Sequence, residues 1–266
     1  MTFRSFQTAL RESPRLGFCS SYATPGIIER LGQHWDWCWI DGQHGEWSLH
    51  DLVQGVRACH LAGIFSMVRV PGQDPGTLGK ALDTACHAVM VPMVENADQA
   101  AALVRAAKFA PLGRRSYGGR RPIDLFSRAY ADADQPQPML VCQIESPEAL
   151  EQVEAIAAVD GVDALFFGPD DMALALGMPM DKPRPAGFFD EAMARIAQAA
   201  ARHGKTAAGI FATPETLRQG LDLGYRMLVG TSDVSLLAPA SQAAARNLRA
   251  VPGAPARGAC GPAPLG

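Results

Sequence analysis

Four apolar runs of the chain end on groups able to do acid, base or electrostatic chemistry. They close as Ile40-Asp41-Gly42-Gln43-His44-Gly45, Val68-Arg69-Val70-Pro71, Gln143-Ile144-Glu145 and Phe167-Gly168-Pro169-Asp170-Asp171. Glu145 and Asp171 offer hard oxygens suited to a divalent cation such as Mg²⁺ or Mn²⁺, with sites left for water and a chelating substrate. Such a cation polarises a carbonyl and steadies the enolate formed beside it, and Arg69 can add fixed positive charge to the same oxygen. That is the electrostatics of carbon-carbon bond chemistry next to a 2-oxo acid. His44 would shuttle the proton, with Asp41 orienting its ring or tuning its basicity. The turn at Gly168, Pro169 and Asp170 leads into a helix expected from about Met172, whose free amides could take a carboxylate.

Each residue alone has a plainer reading. His44 could be a surface histidine. Arg69, between Val68 and Val70, and Glu145 could each be half of a structural ion pair, because a buried charge needs a partner. Convergence of all four types on one rim favours the functional reading.

A rim of this kind needs strands to carry it. Eight short apolar runs rich in β-branched and aromatic residues recur along the chain: 16–22, 35–41, 65–71, 88–94, 139–145, 164–168, 206–212 and 226–230. Most lack strict alternation, as expected of parallel strands covered on both faces by helices. Helix starts are legible at Ser48 before Leu49 to Ala62, Asn96 before Ala97 to Phe109, Ser146-Pro147-Glu148 before Ala149 to Ala158, and Thr213-Pro214-Glu215 before Leu217 to Leu223. Strands alternating with helices over 266 residues fit an α/β fold of the (β/α)₈ TIM barrel type, which fills about 250. An open doubly wound sheet is the alternative. In a barrel, the C-terminal ends of the strands carry the chemistry.

The domain reading is one barrel over residues 1–251 and a flexible tail over 252–266, rich in Pro, Gly and Ala. Residues 111–138 form a long loop carrying Arg114, Arg115, Arg120 and Arg121. It could bind an acidic acceptor's distal carboxylate or phosphate, or simply be solvated or touch another subunit. Trp35, Trp37 and Trp39 would share one strand face and pack between barrel and helices.

Composition narrows the partners. With 24 basic against 27 acidic side chains the net charge is -3, and no basic block exists to bind nucleic acid. No apolar stretch approaches the roughly 20 residues needed to cross a bilayer, and charges interrupt the first 17 residues before any export signal could form. Six cysteines without paired spacing read as reduced thiols in a cytoplasmic protein.

In this order the segments Asp36 to His44, Val68 to Pro71, Val91-Pro92-Met93-Val94-Glu95-Asn96-Ala97, Gln143-Ile144-Glu145, Gly161-Val162-Asp163 with Gly168-Pro169-Asp170-Asp171, and Ala208-Gly209-Ile210 form a specific signature. From about Leu16 to Leu237 the chain resembles the metal-dependent pyruvate aldolases of the HpcH/HpaI type, which include 4-hydroxy-2-oxoheptanedioate and 2-keto-3-deoxy sugar acid aldolases. The resemblance implies a TIM barrel of the phosphoenolpyruvate/pyruvate type, in a homo-hexamer of dimers that exchange their last helix. It implies Glu145 and Asp171 as ligands of a divalent metal, Mg²⁺ or Mn²⁺ with Co²⁺ a further candidate. It places Arg69 at the keto oxygen, His44 with Asp41 as the base pair aided by water, and Gln143 near the pyruvate group. Asp83 would reach a neighbouring subunit's aldehyde pocket.

Two positions depart from the family pattern: Gln43, where many relatives have an acidic residue, and Trp47, where smaller or polar residues are frequent. Relatives with the Gln-His-Gly variant resemble aldolases that accept hydroxypyruvate as well as pyruvate. The expected partners are therefore a small 2-oxo acid and an aldehyde. A citrate-lyase or malyl-CoA-lyase type enzyme using a thioester, and a non-catalytic barrel binding small carboxylates, are the alternatives. A Schiff-base aldolase would need a lysine inside the barrel, and Lys80, Lys108, Lys182 and Lys205 fall in helical or loop segments.

Overall fold

The computed structural model of the chain describes residues 5–132 and 135–256. Its eight strands are β1 (Arg15–Ser20), β2 (Trp37–Asp41), β3 (Phe65–Arg69), β4 (Ala88–Val91), β5 (Met139–Ile144), β6 (Ala164–Phe167), β7 (Thr206–Ile210) and β8 (Met227–Ser232). They pair in parallel, in sequence order, and β8 returns to β1, so the sheet closes into a (β/α)₈ barrel. The open-sheet alternative is thereby set aside.

The helices around it are α1 (Phe6–Glu12), α2 (Pro25–Leu31), α3 (Leu49–Ala62), α4 (Pro75–Leu82), α5 (Ala97–Ala107) and α6 (Arg120–Phe126). They continue as α7 (Pro147–Glu151), α8 (Val153–Ala157), α9 (Pro169–Ala175), α10 (Asp190–Arg202), α11 (Pro214–Asp222) and α12 (Asp233–Arg249). The caps read from sequence are used: the side chains of Ser48, Asn96, Ser146 and Thr213 each accept an amide of the first turn. The helix expected over Ala149 to Ala158 is split at Gln152 into α7 and α8.

Period-two alternation sorts the strand residues into two cores. Cys38, Ile40, Val68 and Leu140 face the helices, whereas Trp37, Trp39, Met67, Met90, Met139 and Phe166 fill the barrel. Ala88, Ala164 and Ala208 lie in the same interior and make room for the large rings. Gly17 does so most directly, since a Cβ there would stand 2.4 Å from the Trp37 ring. The tryptophan series is thus not one outer face. Trp37 and Trp39 point into the barrel, and Trp35 precedes β2 and packs outside, its ring 6.1 Å from that of Phe18. Short α1, which no strong periodicity announces, plugs the N-terminal end with Phe6 stacked 4.6 Å from Phe65.

The basic segment after α5 is not a solvated loop throughout. It contains α6, and Arg115 is buried, pairing with Asp83 at 3.2 Å and lying 4.7 Å over the Phe109 ring. Arg121 donates to the Thr84 carbonyl at 2.9 Å and meets His60 Nδ1 at the same distance. Because it connects a helix to the start of β5, the segment lies at the N-terminal end of the barrel, away from the rim of Asp41, Arg69 and Glu145. Within one chain it cannot contact an acceptor at that rim.

At that N-terminal end His60 and His87 stack edge to face at 5.1 Å, and Ser66 shares a hydrogen bond with His87 Nδ1. Burial, helped by Arg121, pushes His60 down to about 4, and burial with His60 nearby pushes His87 down to about 3. Folded pKa values below the usual 6.5 mean that the unfolded chain binds more protons in this window. The contribution is complete above about pH 6.5 and lost as pH falls toward 4. The urea midpoint should therefore drop between pH 7.5 and 5, and His87→Gln should flatten that drop; equal slopes in both proteins would contradict it.

At the other end Asp233, fully buried, opens α12. Its carboxylate accepts from the Ser20 hydroxyl, the Ser21 and Tyr22 amides and the Val234 amide at 2.8–3.2 Å. Beyond it α12 exposes Leu236, Leu237 and Leu248. The five described cysteines are buried and free; Cys260, like tail residues 257–266 as a whole, lies outside the described residues. No described helix is long and apolar enough to cross a membrane.

Candidate active site

Parallel pairing aligns the strand ends, so residues far apart in sequence arrive on one rim. Asp41 closes β2 and Arg69 closes β3, as direct partners in register. Glu145 follows β5 immediately, Gly168 follows β6, and Asp171 sits in the first turn of α9, which opens at Pro169 and not near Met172.

Asp41 and Arg69 form a buried fork: Nε donates to Oδ1 at 2.8 Å and Nη2 to Oδ2 at 2.6 Å. The Gln43 and His44 amides also donate to Oδ1. Burial alone would raise the Asp41 pKa, but the hydrogen bonds and charge of Arg69, with these two amides, hold it below the ordinary carboxylate value. Asp41 therefore places His44 through its backbone. Its oxygens are taken up by the arginine, and the expected contact with the imidazole is not made. The His44 side chain is exposed and lines the cleft.

Arg69 lies 4.5 Å over the Trp39 ring, a cation–π contact that fixes the guanidinium plane. Trp39 is a site residue that sequence reasoning assigned elsewhere. The signal was its position two residues before Asp41, which puts both on the same strand face.

Glu145 is buried, with Oε1 accepting from the Met93 amide at 2.8 Å and Oε2 from Gln143 Nε2 at 2.5 Å. Met93 holds a left-handed backbone, φ 54°, unusual for a side chain of its size and typical of strain kept at a functional loop. Its amide has no sequence signature. Burial pushes Glu145 up to about 7; the Met93 amide and Arg69 oppose this, and the Asp171 carboxylate adds to it. The nearby Arg69 is already paired with Asp41, so these two carboxylates have no cation of their own, and their oxygens suit a hard divalent ion. Among the described residues no group of three or more His, Cys, Asp or Glu gathers for a metal, so protein ligation would rest on these two.

The cleft, about 630 Å³ with its mouth included, is lined by Trp39, His44, Arg69, Gln143, Gly168 and Asp171, among others. A Cβ at Gly168 would stand 2.6 Å from Glu145 Oε2 and 2.8 Å from Gln143 Nε2. Gly168→Ala should then dislodge the Glu145 carboxylate and lower kcat by at least about tenfold with little change in melting temperature, about 1.4 kcal/mol of misplacement being enough. An unaffected kcat would show that the close approach is not needed.

Other expected residues sit differently. Gln143 spends its amide nitrogen on Glu145, and its Oε1 is buried without a partner. Asp170, read as a substrate contact, lines the cleft beside Asp171, and its carboxylate is engaged by Arg184. Asp83 caps the C-terminal end of α4 and pairs with Arg115, at the opposite end of the barrel from its own chain's rim. Trp47 is buried, donates to the Ser20 carbonyl at 2.9 Å and does not line the cleft. No lysine lines the cleft either; Lys108 is held by Asp163 at 2.6 Å at the N-terminal end.

Fold and rim define the class: a (β/α)₈ barrel with an acidic, arginine-backed cleft at the C-terminal ends of its strands. Residues 15–240 match the family model described as HpcH/HpaI aldolase/citrate lyase. A 4-hydroxy-2-oxovalerate aldolase of Novosphingobium aromaticivorans is 41% identical over 236 residues, covering 86% of this chain and 88% of its own. A hydroxypyruvate/pyruvate aldolase of Delftia acidovorans is 34% identical, covering 91% and 90%. The crystal structure of an HpcH/HpaI aldolase/citrate lyase family protein from Burkholderia cenocepacia superposes with a TM-score of 0.83 at 31% identity, over 92% of this chain and 99% of its own. The chain belongs to the HpcH/HpaI aldolase/citrate lyase family, and it is an aldolase-type lyase.

Proposed function

We propose that this barrel is a divalent-metal-dependent aldolase that makes an enolate of pyruvate or hydroxypyruvate and adds it reversibly to an aldehyde. The observation that carries the reading is Glu145: a buried carboxylate, oriented from both sides and repelled by Asp171. Glu145 and Asp171 would hold the cation, with Mg²⁺ or Mn²⁺ the proposed occupants. When bound, it supplies Lewis acidity toward the 2-oxo group and balances negative charge developing there.

The protein's own groups do the rest. Asp41 occupies Nε and Nη2 of Arg69, which leaves Nη1 without a protein partner among the described residues and free to donate to the keto oxygen. His44, on the cleft wall, takes the proton from C3 of the donor, directly or through water. It returns the proton to the alkoxide formed when C3 attacks the aldehyde carbon. Gly168 and Pro169 border the space for the donor carboxylate. Gln143 serves by keeping Glu145 in place.

EDTA should abolish both aldol cleavage and exchange of the C3 protons of pyruvate into D₂O, and Mg²⁺ or Mn²⁺ should restore them. Activity surviving complete chelation would overturn the reading. A thioester partner has no support from the basic segment, which lies at the far end of the barrel. The exposed leucines of α12 support a homo-oligomer, proposed as a hexamer of dimers, in which Asp83 serves a neighbour's site.

A further inference from the structure

A second cavity, about 980 Å³ with its mouth included, opens on the same rim between the loops after β6 and β7. It shares Pro169 and Ile210 with the catalytic cleft, so the two spaces adjoin along those residues. Ile210, the last residue of β7, leaves 39% of its surface exposed on that divide.

Four aromatic rings line the second cavity: Phe167 and Phe211 from the strand ends, and Phe188 and Phe189 from the loop before α10. Phe189 meets Phe167 edge to face at 5.1 Å and Phe188 at 4.8 Å, so the loop is pinned to the barrel wall by ring contacts. Phe188 and Phe189 are only partly buried, and apolar ring surface is left facing open space beside the reacting centre.

The charges around the cavity oppose an anionic occupant. Its one cation, Arg184, pairs with Asp170 and lies 5.5 Å over the Phe189 ring. Asp190, held by Gln219 at 2.6 Å, adds a second carboxylate. One guanidinium against two carboxylates leaves no net positive charge for an acceptor's carboxylate, sulfonate or phosphate. An apolar body would instead gain from burial against the rings, at about 25 cal/mol per Å².

We propose that this cavity is the acceptor's tail pocket, and that the preferred aldehyde is neutral and bears an apolar body of aromatic size. The inference rests on the aldolase reading. The carbonyl carbon lies in the cleft with the donor, and the tail crosses between Pro169 and Ile210 to reach the phenylalanines. Phe188 is then a specificity-determining residue that takes no part in the proton chemistry.

The test compares phenylacetaldehyde, acetaldehyde and succinic semialdehyde as acceptors for pyruvate, with C3 proton exchange of pyruvate alone as a parallel readout that needs no aldehyde. The wild-type protein should favour phenylacetaldehyde at least about tenfold in kcat/KM over the other two, the range open to apolar pockets. Phe188→Ala should remove that preference through KM, with pyruvate exchange and acetaldehyde turnover within about twofold of wild type. Equal treatment of the three acceptors by wild type, preference for the semialdehyde, or an unaltered preference in the variant would each overturn the pocket assignment while exchange persisted. Loss of exchange in wild type would overturn the aldolase reading, and the pocket assignment with it.

Discussion

Replacing Glu145 by Gln should lower kcat/KM for aldol cleavage by at least about a thousandfold, because several kcal/mol of charge stabilisation leaves with the cation. The same change should leave the metal-free protein as stable as before, or more so. Burial and Asp171 hold the Glu145 pKa near 7, above its ordinary value. A carboxylate with a raised folded pKa favours the fold when protonated, and that benefit is lost as pH rises through the folded value. Gln keeps the shape and the Met93 contact at every pH without the charge. Melting curves in EDTA at pH 8, set beside titration calorimetry with Mn²⁺, check both halves. A variant that binds Mn²⁺ as tightly as wild type would remove Glu145 from the site.

Arg69→Met should lose stability as well as activity. Removing the guanidinium takes away the donor aimed at the keto oxygen, an effect of about 10²–10³ in kcat for comparable groups. It also strands Asp41, whose two oxygens are committed to that side chain and which is only 5% exposed. Breaking one side of a buried pair costs about 3–5 kcal/mol. Pairing the change with Asp41→Asn should recover most of the stability and none of the activity, a separation that urea titration and steady-state kinetics can read. If the single variant unfolds at the wild-type midpoint, the pair is not the anchor described.

Much of this rim was legible because parallel strands leave a plain trace: apolar runs that stop on Asp41, Arg69 and Glu145. The helix at Leu49–Ala62 was legible for a local reason, the Ser48 cap that opens it, and the structure closes it with Gly63 in left-handed conformation. What escaped was information that only long-range contacts create. Period two says that Trp37 and Trp39 share a face, but not that this face is the barrel interior. Arg115 and Arg120 look alike in sequence, yet one is buried against Asp83 and the other pairs on the surface with Asp124. The Met93 amide is a main-chain group made useful by a strained loop, and the cavity behind Pro169 depends on a loop folding back onto Phe167.

The clamp around Asp233 sets how the last described helix leaves the barrel. With the carboxylate tied to three consecutive residues at the top of β1, the last helix leaves the barrel as a preset arm and not as a loose tether. In the proposed oligomer, an arm whose direction is settled beforehand would give up little freedom when its leucines are covered, so the entropic penalty of joining would be met largely during folding.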